Sequence, residues 1–149
     1  MSTVRRFLVI QALMIWQGGF FFYAAVVVPT GTDVHGAFGQ GMVTRHVTDW
    51  MNVVGAFAVA IFAWDQLSSR ASRGIRWGQW LMWGLMASGL VALAFLHPRI
   101  EPYIDSTMEY KTFYLWHRVY LYVATAQWVA GLVYVVLMLR AWRATPQAG

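Results

Sequence analysis

The chain has 149 residues, of which 59% are hydrophobic and only 11% charged, far below the roughly 25% charged residues of an ordinary soluble domain. Water is therefore not its main solvent, and the absence of cysteine excludes disulfides, thiolate metal sites and cysteine nucleophiles. The net charge of +5 would suggest nucleic acid as the partner of a soluble domain; in so apolar a chain its distribution speaks of topology instead, and no nucleic-acid partner is expected.

Four apolar runs are long enough to cross a hydrocarbon core of about 30 Å, which takes ~20 helical residues. The first, Phe7 to Pro29, follows Arg5 and Arg6 and has the outline of a secretory signal. It is too long for an h-region of about 7–15 residues and continues as "VVVP" past the small residues of "YAA", so it reads as a retained helix over about 7–29, ended by Pro29. The stretch "TGTDVHGAFGQG", which carries His35, is then an external loop. The second run, Val47 to Trp64, is the shortest and needs the polar turn before it to reach the interface, giving a helix over about 44–66. The third, Trp77 to His97, gives a helix over about 77–97, closed by Pro98 and Pro102 in the stiffened external loop "HPRIEPYIDS". The fourth, Phe113 to Leu139, gives a helix over about 112–140. None alternates with period two, and each is about twice the length of a barrel strand. The expected fold is all-α, a polytopic, antiparallel four-transmembrane-helix bundle forming one domain over residues 1–149.

Basic residues set the orientation. Arg5, Arg6, Arg70, Arg73, Arg76, Arg140 and Arg143 fall on one side of a four-span layout with only Asp65 for company. The other side has Arg45, Arg99, Lys111 and Arg118 against Asp33, Asp49, Glu101, Asp105 and Glu109. By the positive-inside rule both termini are cytoplasmic, in a cell inner membrane. Trp64, Trp77, Trp80 and Trp142 near the inner ends and Trp50 and Trp116 near the outer ends fit interfacial belts, so anchoring accounts for them.

This topology brings three histidines to one level: His46 opens the second helix, His97 closes the third, and His117 lies near the start of the fourth. Neutral imidazoles from different helices could supply nitrogens to a transition metal ion (copper, zinc or iron) or to haem b. Carboxylates from Asp49, Glu101, Asp105 or Glu109 could complete the shell or orient a ring. The bland alternative is that these histidines cap helix ends, since no HxxxH or HExxH spacing occurs. Within "RHVTDWMN", Arg45, Asp49 and Asn52 recur at i, i+4 and i+7 and mark one face that must turn inward, with Asp49 paired either to Arg45 or to a base on another helix. Gln11, Gln17 and Gln127 form a deeper polar layer that needs interior partners, and Gly18, Gly19, Gly55, Gly84, Gly89 and Gly131 permit close helix approach.

The segments "WQGGFFFYAAVVVP", "LHPRIEPYID" and "FYLWHRVYLYVATAQWVAGLV" together resemble the small four-helix membrane family related to transmembrane protein 205, whose function is unknown. The resemblance covers nearly the whole chain and implies Trp16, Gly18, Gly19, Pro29, Pro98 and His117 as characteristic positions, with a fold but no reaction. A weaker likeness is to copper-resistance D-type membrane proteins, which are longer and carry outer-face histidines; this chain has no Met-rich external loop.

The expectation is therefore a small integral membrane protein with a site of His46, Asp49, His97 and His117 at its outer face, holding a metal ion or haem as an accessory or redox subunit rather than acting as an enzyme alone. Partners are the lipid bilayer and other membrane subunits or further copies of the chain. Two alternatives stay open: a non-catalytic structural or assembly subunit, and a transporter of small solutes or ions. Neither a nucleophile elbow nor a phosphate-binding glycine motif is present.

Overall fold

A computed structural model describes residues 3–68, 71–100, 103 and 110–143. Among the described residues the fold is all-α, with three helices long and apolar enough to cross a membrane. We label them α1 (Thr3–Leu67), α2 (Arg73–Ile100) and α3 (Tyr110–Arg143).

The expectation of four separate helices is corrected in the first half of the chain. Helix extends from Thr3 to Leu67 with a kink at Gly36, so the stretch read as an external loop is helical on both sides of that residue. A straight helix of 65 residues would be about 100 Å long, yet Arg5 near its start pairs with Asp65 near its end at 3.0 Å. The helix is folded back on itself at Gly36, whose φ of 73° and ψ of 166° are the non-helical values within it. A residue without Cβ adopts that conformation freely. The result is an N-terminal arm, 3–35, and a C-terminal arm, 37–67.

Pro29 does not end the first helix either. The turn before it, Tyr23–Val27, is π-helical, and widening the backbone there relieves the clash between the proline ring and the preceding carbonyl. A second π-helical turn, Met14–Gly18, borders the Gly18–Gly19 pair and holds the buried Trp16. At the end of α2 the chain stays helical through Pro98 to Ile100, a little beyond the expected stop at His97.

The two arms, α2 and α3 form a closed antiparallel ring. The arms meet through Arg5 and Asp65 at one end and through Tyr23, whose hydroxyl donates to Thr44 Oγ1 at 2.9 Å, at the other. The C-terminal arm meets α2 where the Trp83 indole N–H donates to the Val59 carbonyl at 2.9 Å. Helices α2 and α3 meet where Gln127 Nε2 donates to the Met86 carbonyl at 3.0 Å. The ring closes between α3 and the N-terminal arm, where Phe21 stacks on Trp128 and the Arg6 guanidinium sits 5.1 Å from the Trp142 ring. Its core is Val9, Trp16, Ala58, Val59, Phe62, Met86, Ala130, Tyr134 and Met138. Phe62 and Tyr134 stack there at 5.1 Å, tying the C-terminal arm to the helix diagonally across the ring.

Glycines and glutamines pair across the helix contacts. The Gln17 side chain lies against Gly131, that of Gln127 against Gly89 and that of Gln40 against Gly31. A carboxamide shielded from lipid needs a polar partner and room for its bulk. The missing Cβ opposite each one provides the room.

Candidate functional site

The expected outer-face site lies at the Gly36 end of the ring. Asp49 sits on the C-terminal arm and His97 in the last turn of α2, where antiparallel packing puts the two at one level. His97 Nδ1 lies 3.2 Å from Asp49 Oδ1, so the base that partners Asp49 is one on another helix. Next to them on α3 is Tyr120, its ring 6.4 Å from that of His97 and its hydroxyl near Asn52. Spacing of i, i+3 between Asp49 and Asn52 puts both on the face that meets α2 and α3. These four side chains join three helices in one polar contact.

Asp49 is not an interior residue, however. Its side chain is 63% exposed, against 16% for His97, so the carboxylate stands at the rim and only its inner neighbours are enclosed. The remaining histidines are engaged within their own helices. His46 is exposed, and its Nδ1 faces the Met42 carbonyl one turn earlier at 3.2 Å. The half-buried His117 ring lies parallel to Phe113, one turn before it, with centroids 5.5 Å apart. His35 is exposed beside the bend, and Arg45 is half-buried.

Of the expected ligands His46, His97, His117 and Asp49, the structure brings His97 and Asp49 into contact. Among the described residues no three histidine, aspartate or glutamate side chains come together as a group able to hold a metal ion. His46 and His117 instead contact the backbone and the ring one turn earlier in their own helices. Glu101, Asp105 and Glu109, considered as further ligands, lie outside the described residues, as do Arg70 and Pro102.

The deeper glutamines are placed as interior groups. Gln127 is buried and bonded to α2, Gln17 lies on Gly131, and Gln11 is half-buried on the N-terminal arm.

A second polar region, at the end where the termini lie, was missed in the sequence. Asp65 is 1% exposed and Arg5 7%. The Arg5 guanidinium also reaches the Ser68 carbonyl at 3.4 Å, and the Trp142 indole lies beside the same carboxylate. Gln66 and Gln79 are each 1% exposed, and the buried Tyr134 hydroxyl donates to the Phe62 carbonyl at 3.3 Å. The signal was available: Asp65 is the one acidic residue between Asp49 and Glu101, within reach of a helix-opening "RR". A third small network, in which Gln40 Nε2 donates to Tyr23 and Thr44 at 3.2 Å each, braces the bend.

No family model, curated protein or solved structure matches the chain. The likeness to the family related to transmembrane protein 205 accordingly stands on its helix motifs alone.

Proposed function

We propose that this chain is an integral membrane protein that crosses the bilayer four times, both termini on the cytoplasmic side, and acts as a non-catalytic structural or assembly subunit of a membrane complex. The observation that carries this reading is the division of polar and apolar surface. Polar side chains of the four arms are turned to one another, as in Arg5 with Asp65, Asp49 with His97 and Gln127 with α2. The outer faces present large apolar groups such as Phe57, Phe95 and Leu115. A surface of that kind is suited to lipid or to the apolar faces of partner helices. The bend at Gly36 supports this reading, since an α1 folded back on itself would serve as two crossings, four in all, with both termini at one end.

The transporter alternative is weakened by the same packing. A polar conduit needs unfilled space along the axis, whereas Gln17 and Gln127 are seated on glycines and Phe62, Tyr134 and Trp16 occupy the centre.

Orientation is tested by fusing alkaline phosphatase or a fluorescent reporter to Gly149. A fluorescent, phosphatase-silent fusion is expected, and strong phosphatase activity would reverse the topology. The subunit reading is tested on protein purified in mild detergent, by absorption spectrum, elemental analysis and mass of the native complex. A colourless, metal-free protein that migrates with other membrane proteins or with its own copies is expected. A Soret band or stoichiometric copper, zinc or iron would restore the cofactor reading.

A further inference from the structure

At the end where the termini lie, the last turn of α1 and the first turns of α2 enclose an open groove of about 430 Å3, lined by Gln66, Leu67, Arg73, Arg76, Trp77 and Trp80. Arg73 and Arg76, at i and i+3, share a helix face. The nearest acid in sequence is Asp65, and Arg5 already occupies it at 3.0 Å. Two guanidinium forks therefore stand in one groove with the local carboxylate committed elsewhere.

Three further features favour an anion there. Gln66 is 1% exposed and lines the groove, yet neither polar atom of its carboxamide makes a hydrogen bond of normal geometry among the described residues, although the Tyr134 hydroxyl is near. The groove also lies at the N-terminus of a 28-residue helix, whose first N–H groups and dipole attract negative charge. Of those groups, Arg76 N–H is already bonded to the Ser72 carbonyl at 3.0 Å. Finally, Trp77 is 72% exposed and Trp80 lies edge-on to Trp83, so indoles flank the cationic groups as they do at the headgroup level of a bilayer.

We propose that this groove is a binding site for a phosphate ester or phosphate anion, gripped by the forks of Arg73 and Arg76, with the Gln66 carboxamide as a further donor. Arginine matches phosphate oxygens with paired N–H groups in a fixed plane. Two sources offer that chemistry: the headgroup of an anionic phospholipid, whose chains would lie along the exposed Trp77 face, and free phosphate. The site does not depend on which side of the membrane the termini occupy.

The experiment uses the full chain in phosphate-free detergent, unfolded thermally with added phosphatidylglycerol, phosphatidylcholine or inorganic phosphate. Phosphatidylglycerol is expected to raise the midpoint by about 3–8 °C and phosphatidylcholine to leave it unchanged. Arg73→Gln with Arg76→Gln should lose that shift, while Arg140→Gln with Arg143→Gln, which removes equal charge from the same end, should keep it. Inorganic phosphate that reproduces the shift and blocks the lipid's identifies free phosphate as the source; no response to it identifies the lipid. Native mass spectrometry of the unmutated chain supplies a second readout, with at least one phosphatidylglycerol retained where phosphatidylcholine is lost. A groove variant that responds like the unmutated chain overturns the proposal. So does equal retention of the two lipids together with no response to phosphate.

Discussion

The two ends of the bundle solve the same problem in opposite ways. Each must place ionisable groups where apolar helices stop. At the Arg5 end the pair is enclosed, with Asp65 1% exposed and arginine, tryptophan and a backbone carbonyl around it. At the Gly36 end Asp49 is 63% exposed, and its contact with His97 lies at the rim. The difference teaches that one polar contact holds the fold and the other trims it. A buried pair gains its strength from the low dielectric and loses heavily when one partner goes; a rim pair is screened by water and salt.

The largest effect should therefore come from Asp65. Asp65→Asn leaves the Arg5 charge without its counterion inside the bundle, at a cost of about 3–5 kcal/mol. Thermal unfolding in detergent, followed by circular dichroism, reads that loss directly. Replacing both partners by apolar residues, Arg5→Met with Asp65→Leu, should recover much of the stability, because the penalty belongs to the orphaned charge. An Asp65→Asn variant that melts with the unmutated chain would place the pair in water.

Between the two ends, the helix contact at Gly55 should rank next. A Cβ there would lie 2.9 Å from Trp16 Nε1 and 3.1 Å from Leu90 Cδ1, and the indole is a rigid plate in the core. Gly55→Ala is expected to cost about 1–3 kcal/mol by overpacking. Gly84, with nothing within 4 Å of its Cβ position, is the control: Gly84→Ala should be neutral or stabilising by up to about 1 kcal/mol through helix propensity. Equal melting points for the two variants would mean that the arms do not approach as closely as Trp16 and Gly55 indicate.

These residues also show what could be read before the structure. The helices were legible because every apolar run exceeded the length of a strand, and Gln17, Gln127, Gly89 and Gly131 were legible as interior polar groups and close-contact positions. Their pairing was not, because it depends on the rotational phase of two helices, and each π-helical turn shifts that phase. The level of His97 and Asp49 followed from helix direction alone, and the two do meet. The contacts of His46 and His117 with Met42 and Phe113, one turn earlier in their own helices, are local and carried no signal in the spacing. The bend was hidden among four glycines, Gly31, Gly36, Gly39 and Gly41, of which Gly36 alone has positive φ. Arg5 and Asp65 are 60 positions apart, and only the folding back of α1 makes them neighbours.

The smallest effect should be found at the rim. Asp49→Asn keeps the shape of the side chain and a hydrogen-bond acceptor towards His97, while removing the charge. With the carboxylate mostly in water, the expected loss is about 0–1 kcal/mol at low salt. The Debye length falls to about 3 Å in 1 M salt, so the difference between Asp49→Asn and the unmutated chain should shrink towards zero there. The Asp65→Asn deficit should persist, because salt does not reach an enclosed pair. Parallel melting curves in low and high salt thus measure enclosure at each end independently of the size of either loss. If Asp49→Asn costs as much as Asp65→Asn, and does so in both salts, the Gly36 end is closed in the membrane by lipid or by another helix, and the contrast between the ends belongs to the isolated chain alone.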